Sequence, residues 1–81
     1  MGSGIRAVFA DNLRRIRAEK GISQEELAHR ANIDRTYVSY LENQKYAVSI
    51  DIVARLAKGL GVYPSELLLT KAQRRRANAK P

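Results

Sequence analysis

Eighty-one residues make one domain, and a chain of this size buries only about 60–65 % of the surface its unfolded form exposes, so a partner subunit would add useful burial. Fifteen lysines and arginines against eight acidic residues give a net charge of +7 and a pI near 10.3, which suits a polyanionic partner without separating DNA, RNA and an anionic membrane. No cysteine is present for a disulfide or thiolate metal site, the one histidine (His29) excludes the usual zinc constellations, and no apolar run approaches the roughly 18 residues of a membrane span, so a soluble, cytoplasmic, metal-free protein is expected.

Met1-Gly2-Ser3-Gly4 reads as a start residue with a flexible leader or cloning scar and stands outside the domain. Ile5, Val8, Phe9, Leu13 and Ile16 then recur at three- and four-residue intervals, which places them on one helical face, and Gly21 offers a stop after Lys20. A first helix is expected over 5–19. Its outer face carries Arg6, Arg14, Arg15 and Arg17, either as solvated charge or as contacts to a phosphate backbone.

Ser23 and Glu26 have capping-box spacing, so a second helix begins at Gln24. Leu27, Ala28 and Ala31 share one of its faces, and Asn32, which tolerates the left-handed region, ends it. Ile33 is an apolar plug, Asp34 a good N-cap, and Val38 and Leu41 mark the inner face of a third helix over 35–43. The pattern breaks across 43–47, a loop with one cation and one aromatic. Ser49 caps a fourth helix, Asp51 suits the dipole of its first turn, and Ile52, Val53, Leu56, Ala57 and Leu60 form its buried stripe. Gly59 in its last turn costs about 1 kcal/mol relative to alanine, and Gly61 is the expected left-handed terminator. Pro64 opens a fifth, short helix over 64–69. From Thr70 onward the run TKAQRRRANAKP lacks apolar spacing and reads as a frayed or disordered basic tail over 70–81.

These elements make an all-α fold, a compact bundle of five short helices over 5–69. Its expected core is Phe9, Leu13, Ile16, Leu27, Ala28, Ile33, Val38, Leu41, Val53, Leu56 and Leu60, assigned to packing because an apolar stripe at helical spacing is far more often core than cofactor box. Two helices joined by three or four residues, the second short and polar outside, match the geometry of a DNA-binding helix-turn-helix. A nine-residue helix is about 13 Å long, enough to lay its N-terminal half in a major groove about 12 Å wide. The outward positions are Arg35, Thr36, Ser39, Tyr40 and Asn43. Arginine suits the guanine O6/N7 edge, and threonine offers a hydroxyl with a methyl for thymine, so Arg35 and Thr36 lead as base contacts. Gln24 opens the preceding helix, where backbone N–H groups and the positive dipole end favour a phosphate. Asn43 and Lys45 are further candidates for phosphate contact, with helix capping as the alternative for Asn43.

The runs SQEELAHRANI, DRTYVSYLEN and VSIDIVARLAKGLGVYPSELL, in this order and spacing, resemble the Cro/cI-type helix-turn-helix family, also called the XRE or lambda-repressor-like family, over about residues 9–68. RTYVS in the third helix and the short length are most similar to the small controller proteins of restriction–modification systems. The resemblance implies base contacts at Arg35, Thr36 and Tyr40, with Ser39 as a further one. Tyr40 departs from the small amides common at that place, so its ring either meets a sugar or a base methyl or simply covers the helix. The resemblance also implies phosphate contact at Gln24 and a structural ion pair, Arg17 with Glu42, linking the first helix to the end of the recognition helix. Asn32 stands where the family commonly has glycine, and Asn43-Gln44 make an exit that usually has one nearby. Tyr37 is assigned to core or backbone contact, and His29 to no special role.

One recognition helix reads only a few base pairs, so two copies spaced one DNA turn apart, about 34 Å, are expected. The dimer interface is assigned to Ile50, Leu67, Leu68 and Leu69, because three consecutive leucines cover more than one helix face; the alternative is that they close the end of the core. The expected function is a sequence-specific, double-stranded DNA-binding regulator of transcription, a repressor or controller that binds a two-fold operator as a homodimer, without cofactor, small-molecule ligand or membrane. The rival readings are the antitoxin of a toxin–antitoxin pair and a protein-interaction or bridging module of the same fold that reads no bases. An enzyme would need a nucleophile with its base or paired carboxylates, and the single histidine has no such company. For Arg74-Arg75-Arg76, solvation is expected ahead of minor-groove contact.

Overall fold

The apolar stripe from Phe9 to Ile16 winds into helix α1 (Ile5–Glu19), followed by α2 (Gln24–Ala31), α3 (Arg35–Glu42), α4 (Ile50–Leu60), one turn of 3-10 helix (Pro64–Leu67) and α5 (Lys71–Asn78). The structure, a computed structural model, describes residues 4–78; the leader expected at 1–4 lies almost wholly outside them. Among the described residues there is no strand, as an all-α reading requires. No helix of the structure is long and apolar enough to cross a membrane.

The starts of α2 and α4 each have a local side-chain cap. Ser23 Oγ accepts from the Glu26 N–H at 3.0 Å, and Ser49 Oγ accepts from the Ile52 N–H at 3.1 Å, each satisfying one of the orphan donors of a first turn. Asp34 occupies the N-cap of α3 with extended backbone, but its side chain accepts no capping bond. Gly61, at φ +76°, ends α4 as its position suggested.

Packing joins α2 to both α3 and α4, α1 to α3, and the 3-10 turn to α1 and α4. Leu13, Leu27, Val38, Leu41, Leu56 and Leu67 are fully enclosed where these elements meet, each contributing about 1.5–3 kcal/mol through burial. The expected core is buried throughout except Ile33, which is half-buried and packs against it. Gly59 has a packing reason: a Cβ there would stand 3.2 Å from both Leu27 Cδ1 and Arg30 Cβ, so its absence lets α4 approach α2.

Three expectations are corrected here. The 64–69 segment is not an α-helix. It makes one 3-10 turn, held by the Glu66 N–H on the Tyr63 carbonyl (2.9 Å) and the Glu66 carboxylate on the Tyr63 N–H (3.0 Å). Beyond its end Asn12, 2 % exposed on α1, satisfies the carbonyls of Leu67 and Leu69 through Nδ2, at 3.0 and 2.8 Å. Leu67 is a core residue and has no surface to offer a partner subunit. The basic segment, finally, is helical over Lys71–Asn78. Thr70 and Gln73 close a reciprocal capping box, Gln73 N–H to Thr70 Oγ1 at 3.1 Å and Thr70 N–H to Gln73 Oε1 at 2.9 Å, ahead of a run of good helix formers.

Candidate nucleic-acid interface

The turn between α2 and α3 is built by backbone geometry and one distant arginine. Asn32 leaves α2 in the left-handed conformation (φ 57°, ψ 50°), and the Ile33 N–H returns to the Ala28 carbonyl at 3.0 Å. Arg55 of α4 then clamps the exit, donating from Nε to the Ala31 carbonyl (3.0 Å) and from Nη2 to the Asn32 carbonyl (2.6 Å). Two orphan acceptors at the C-terminal end of α2 thereby meet a cation, which also complements the negative pole of the helix. The clamp ties the end of α2 to α4 immediately before the turn into α3. With Ile33 seated on the core, the start of α3 is held at both ends of the turn.

On α3, Val38, Leu41 and Glu42 are buried and Tyr37 is half-buried, so the opposite arc faces solvent. At 3.6 residues per turn, Arg35, Thr36, Ser39, Tyr40 and the following Asn43 fall within about 140° on that arc. Arg35, Thr36 and Tyr40 are exposed and Ser39 is half-buried. Most other arginines of the helical body are committed: Arg14 to Asp11, Arg15 to Glu19 and Asn12, Arg17 to Glu42, Arg30 to Glu26 and the Gly59 carbonyl, Arg55 to the turn. The guanidinium of Arg35 and the hydroxyl of Thr36 hydrogen-bond to none of the described residues, which leaves five N–H donors and a hydroxyl free on the outer face.

The far end of α3 is pinned to α1. Arg17 Nε donates to Glu42 Oε2 at 2.7 Å and its Nη2 to Oε1 at 3.0 Å, a bidentate pair, while Nη1 reaches the Ile22 carbonyl at 3.0 Å. The Glu42 side chain is 3 % exposed and that of Arg17 18 %. The hydrogen bond to Glu42 raises the Arg17 pKa above its ordinary value despite partial burial. Gln24 completes the network by donating from Nε2 to Glu42 Oε1 at 3.0 Å. The residue assigned to phosphate contact therefore braces α2 against α3 in this structure, with one amide N–H left over. Asn43 likewise serves the helix itself, its Nδ2 donating to the Ser39 carbonyl at 2.9 Å and closing the last turn of α3. Lys45 is exposed in the loop beyond and makes no ion pair among the described residues.

In that loop Gln44, not Asn43, takes the left-handed conformation (φ 61°), and the Lys45 N–H returns to the Tyr40 carbonyl at 2.8 Å. The fold back sets Tyr46 edge-on to Tyr40, ring centroids 5.2 Å apart and planes at 75°. Of the residues assigned to a partner subunit, Ile50 is 86 % exposed, Leu68 is exposed and Leu69 is half-buried, while Leu67 is enclosed. Among the described residues no cluster of histidine, cysteine and carboxylate side chains could hold a metal ion.

Sequence reasoning missed Asn12, Arg55 and the Arg30 contact to Gly59, because each joins residues more than 25 positions apart or, for Arg55, 23 and 24, and nothing local marks them. The box at Thr70 and Gln73 was different. Its Thr-x-x-Gln spacing is a legible start signal.

Two helices at this turn, with an outward polar arc on the second, define a helix-turn-helix protein. The helix-turn-helix family model HTH_3 matches residues 13–67, and the chain belongs to that family. Among curated relatives, a hypothetical transcription factor of Neisseria meningitidis is 43 % identical over 70 residues, covering 86 % of this chain and 66 % of that protein. The control protein C.BamHI of Bacillus amyloliquefaciens is 41 % identical over 69 residues, covering 84 % and 85 %. A solved structure of the transcription factor NHTF from Neisseria superposes with a TM-score of 0.88 at 39 % identity, over 95 % of this chain and 88 % of that one. The control protein C.Esp1396I bound to a 25 base pair operator site gives 0.74 at 34 % identity, over 80 % and 86 %. The likeness to restriction–modification controllers, read from RTYVS and the chain length, is borne out by these relatives.

Proposed function

We propose that this chain is a sequence-specific, double-stranded DNA-binding regulator of transcription of the controller type, acting in the cytoplasm as a homodimer on a two-fold operator, without catalysis. The observation that carries the reading is the outward arc of α3, where Arg35 and Thr36 stand exposed and uncommitted among the described residues while the far end of the same helix is pinned by Arg17 and the turn before it is held by Arg55. An arginine and a threonine on a rigid helix supply a bidentate donor for guanine and a hydroxyl with a methyl for thymine, with Ser39 and Tyr40 beside them. Lys45 and one amide N–H of Gln24 supply backbone contacts, which set register without reading sequence. The net charge of +7 provides the salt-sensitive attraction. Dimerisation is supported by the exposure of Ile50 and Leu68 and by the limited reach of a single α3. The operator bound by the C.Esp1396I relative is long enough for two recognition helices one turn apart.

Selection of bound duplexes from a random pool, at about 0.15 M salt where nonspecific binding is screened, tests the proposal. A two-fold motif with half-sites about one turn apart is the expected result. Retention of DNA without any enriched motif would refute it.

A further inference from the structure

Tyr40 and Tyr46 are both exposed, at 37 % and 54 %, and neither belongs to the core or to the half-buried residues packed against it. Two aromatic rings thus meet at the edge of the α3 arc, outside the core cluster. Their meeting is not accidental to the backbone. The Gln44 N–H returns to the Leu41 carbonyl (3.2 Å), Gln44 takes a left-handed conformation that a residue with a side chain adopts only under constraint, and the Lys45 N–H closes on the Tyr40 carbonyl (2.8 Å). This closure carries Tyr46 back over the last turn, and its ring stops 5.2 Å from that of Tyr40 at an interplanar angle of 75°, the edge-to-face arrangement that ring quadrupoles favour.

We infer that Tyr46 is a positioning residue for base recognition: its ring, edge-on to Tyr40, holds the Tyr40 side chain in one orientation so that α3 reads one further base pair, a thymine methyl against the ring. The inference rests on the proposal that α3 reads operator DNA. A tyrosine alone on an exposed helix face samples several rotamers and must be ordered when DNA binds; one already held by a neighbouring ring gives up less freedom on binding. Tyr46 itself lies in the loop and needs no contact with a base to have this effect. Specificity at the Tyr40 position is therefore set partly by a residue outside the recognition helix.

The test uses the full chain and the operator found by selection, with relative affinity measured for all four bases at each position of one half-site. Tyr40→Ala identifies the base pair that Tyr40 reads. Tyr46→Ala should relax preference at that same base pair by about two- to tenfold, the range of an edge-to-face contact, and leave the other positions unchanged. Tyr46→Phe, which keeps the ring, should restore the preference, and Tyr40→Ala combined with Tyr46→Ala should be no worse at that position than Tyr40→Ala alone. Uniform weakening on every sequence by Tyr46→Ala, loss at a different base pair, or a Phe variant as poor as the Ala variant would each overturn the inference. A wild-type protein that selects no motif would overturn the parent reading and this one with it, and that outcome is seen before any variant is made.

Discussion

Replacing Glu42 with alanine removes an acceptor that three N–H donors share: Nε and Nη2 of Arg17 and Nε2 of Gln24. Gln24 is half-buried and can turn to water, whereas Arg17, with a side chain 18 % exposed, keeps only the Ile22 carbonyl. Leaving one member of a buried pair uncompensated typically costs 3–5 kcal/mol, and the partial exposure of Arg17 places the expectation near the lower end, about 3 kcal/mol. A domain of this length has roughly 4–12 kcal/mol in total, so Glu42→Ala should bring the protein close to its stability limit. Urea denaturation followed by helical circular dichroism measures the loss directly, read as a lower midpoint at unchanged slope. The pH dependence is a second handle. The Arg17 pKa is raised in the fold, so its stabilising contribution is fully present below the unfolded value and is lost only as pH climbs through the folded one. The guanidinium stays charged across roughly pH 5 to 9, and the penalty in Glu42→Ala should not ease anywhere in that window. The double variant Arg17→Met, Glu42→Leu replaces both charges by apolar side chains and should recover most of the loss, to within about 1 kcal/mol of the parent. If the double variant is as unstable as Glu42→Ala, the cost does not come from an orphaned charge and the account of the α1–α3 brace is wrong.

Asn12→Ala strips the buried Leu67 carbonyl and the part-buried Leu69 carbonyl of their shared donor, with an expected loss of about 1–3 kcal/mol, seen as a fall in Tm of several degrees by calorimetry; an unchanged Tm would mean that the carbonyls find other partners. Gln44→Gly should stabilise by about 0.5–1 kcal/mol, because glycine takes the φ of 61° without a Cβ penalty, and a lower urea midpoint would contradict the strain argued at this exit. Arg35→Ala should lose about 1–3 kcal/mol at one operator base pair, whereas Lys45→Ala should weaken operator and random DNA alike and flatten the salt dependence; equal losses on both DNAs for Arg35→Ala would remove it from the base-reading set. Leu68→Glu should shift sedimentation toward monomer, and an unchanged sedimentation coefficient would take Leu68 out of the subunit interface.

What could be read from the chain was whatever is local. Ser23, Ser49 and Gly61 act within four residues of themselves, and the apolar spacing of α1, α2 and α4 needs only a helical period, so these elements fall where the periodicity puts them. The outward arc of α3 follows from the same arithmetic, since Val38 and Leu41 fix the inner face and Arg35, Thr36, Ser39 and Tyr40 fall opposite it. The errors lie where a residue from another helix decides the outcome. Leu67-Leu68-Leu69 reads as surplus apolar surface, whereas the segment makes one 3-10 turn with Leu67 in the core and two of its carbonyls held by Asn12, 55 and 57 residues away. Gln24 reads as a phosphate ligand from its place at a helix start; the bond from its amide to Glu42, 18 residues away, adds a bracing role that nothing local marks and leaves one N–H for that contact. The tail was misjudged for a different reason. Without an apolar stripe it offered no periodicity, and its helix begins instead from Thr70 and Gln73 and continues on the propensity of alanine, glutamine and arginine. The proposed recognition surface is legible because it is what remains of α3 after packing is satisfied; the contacts around it made by Arg55 and Tyr46 are written only in three dimensions, and the one made by Arg17 follows from likeness to relatives rather than from spacing.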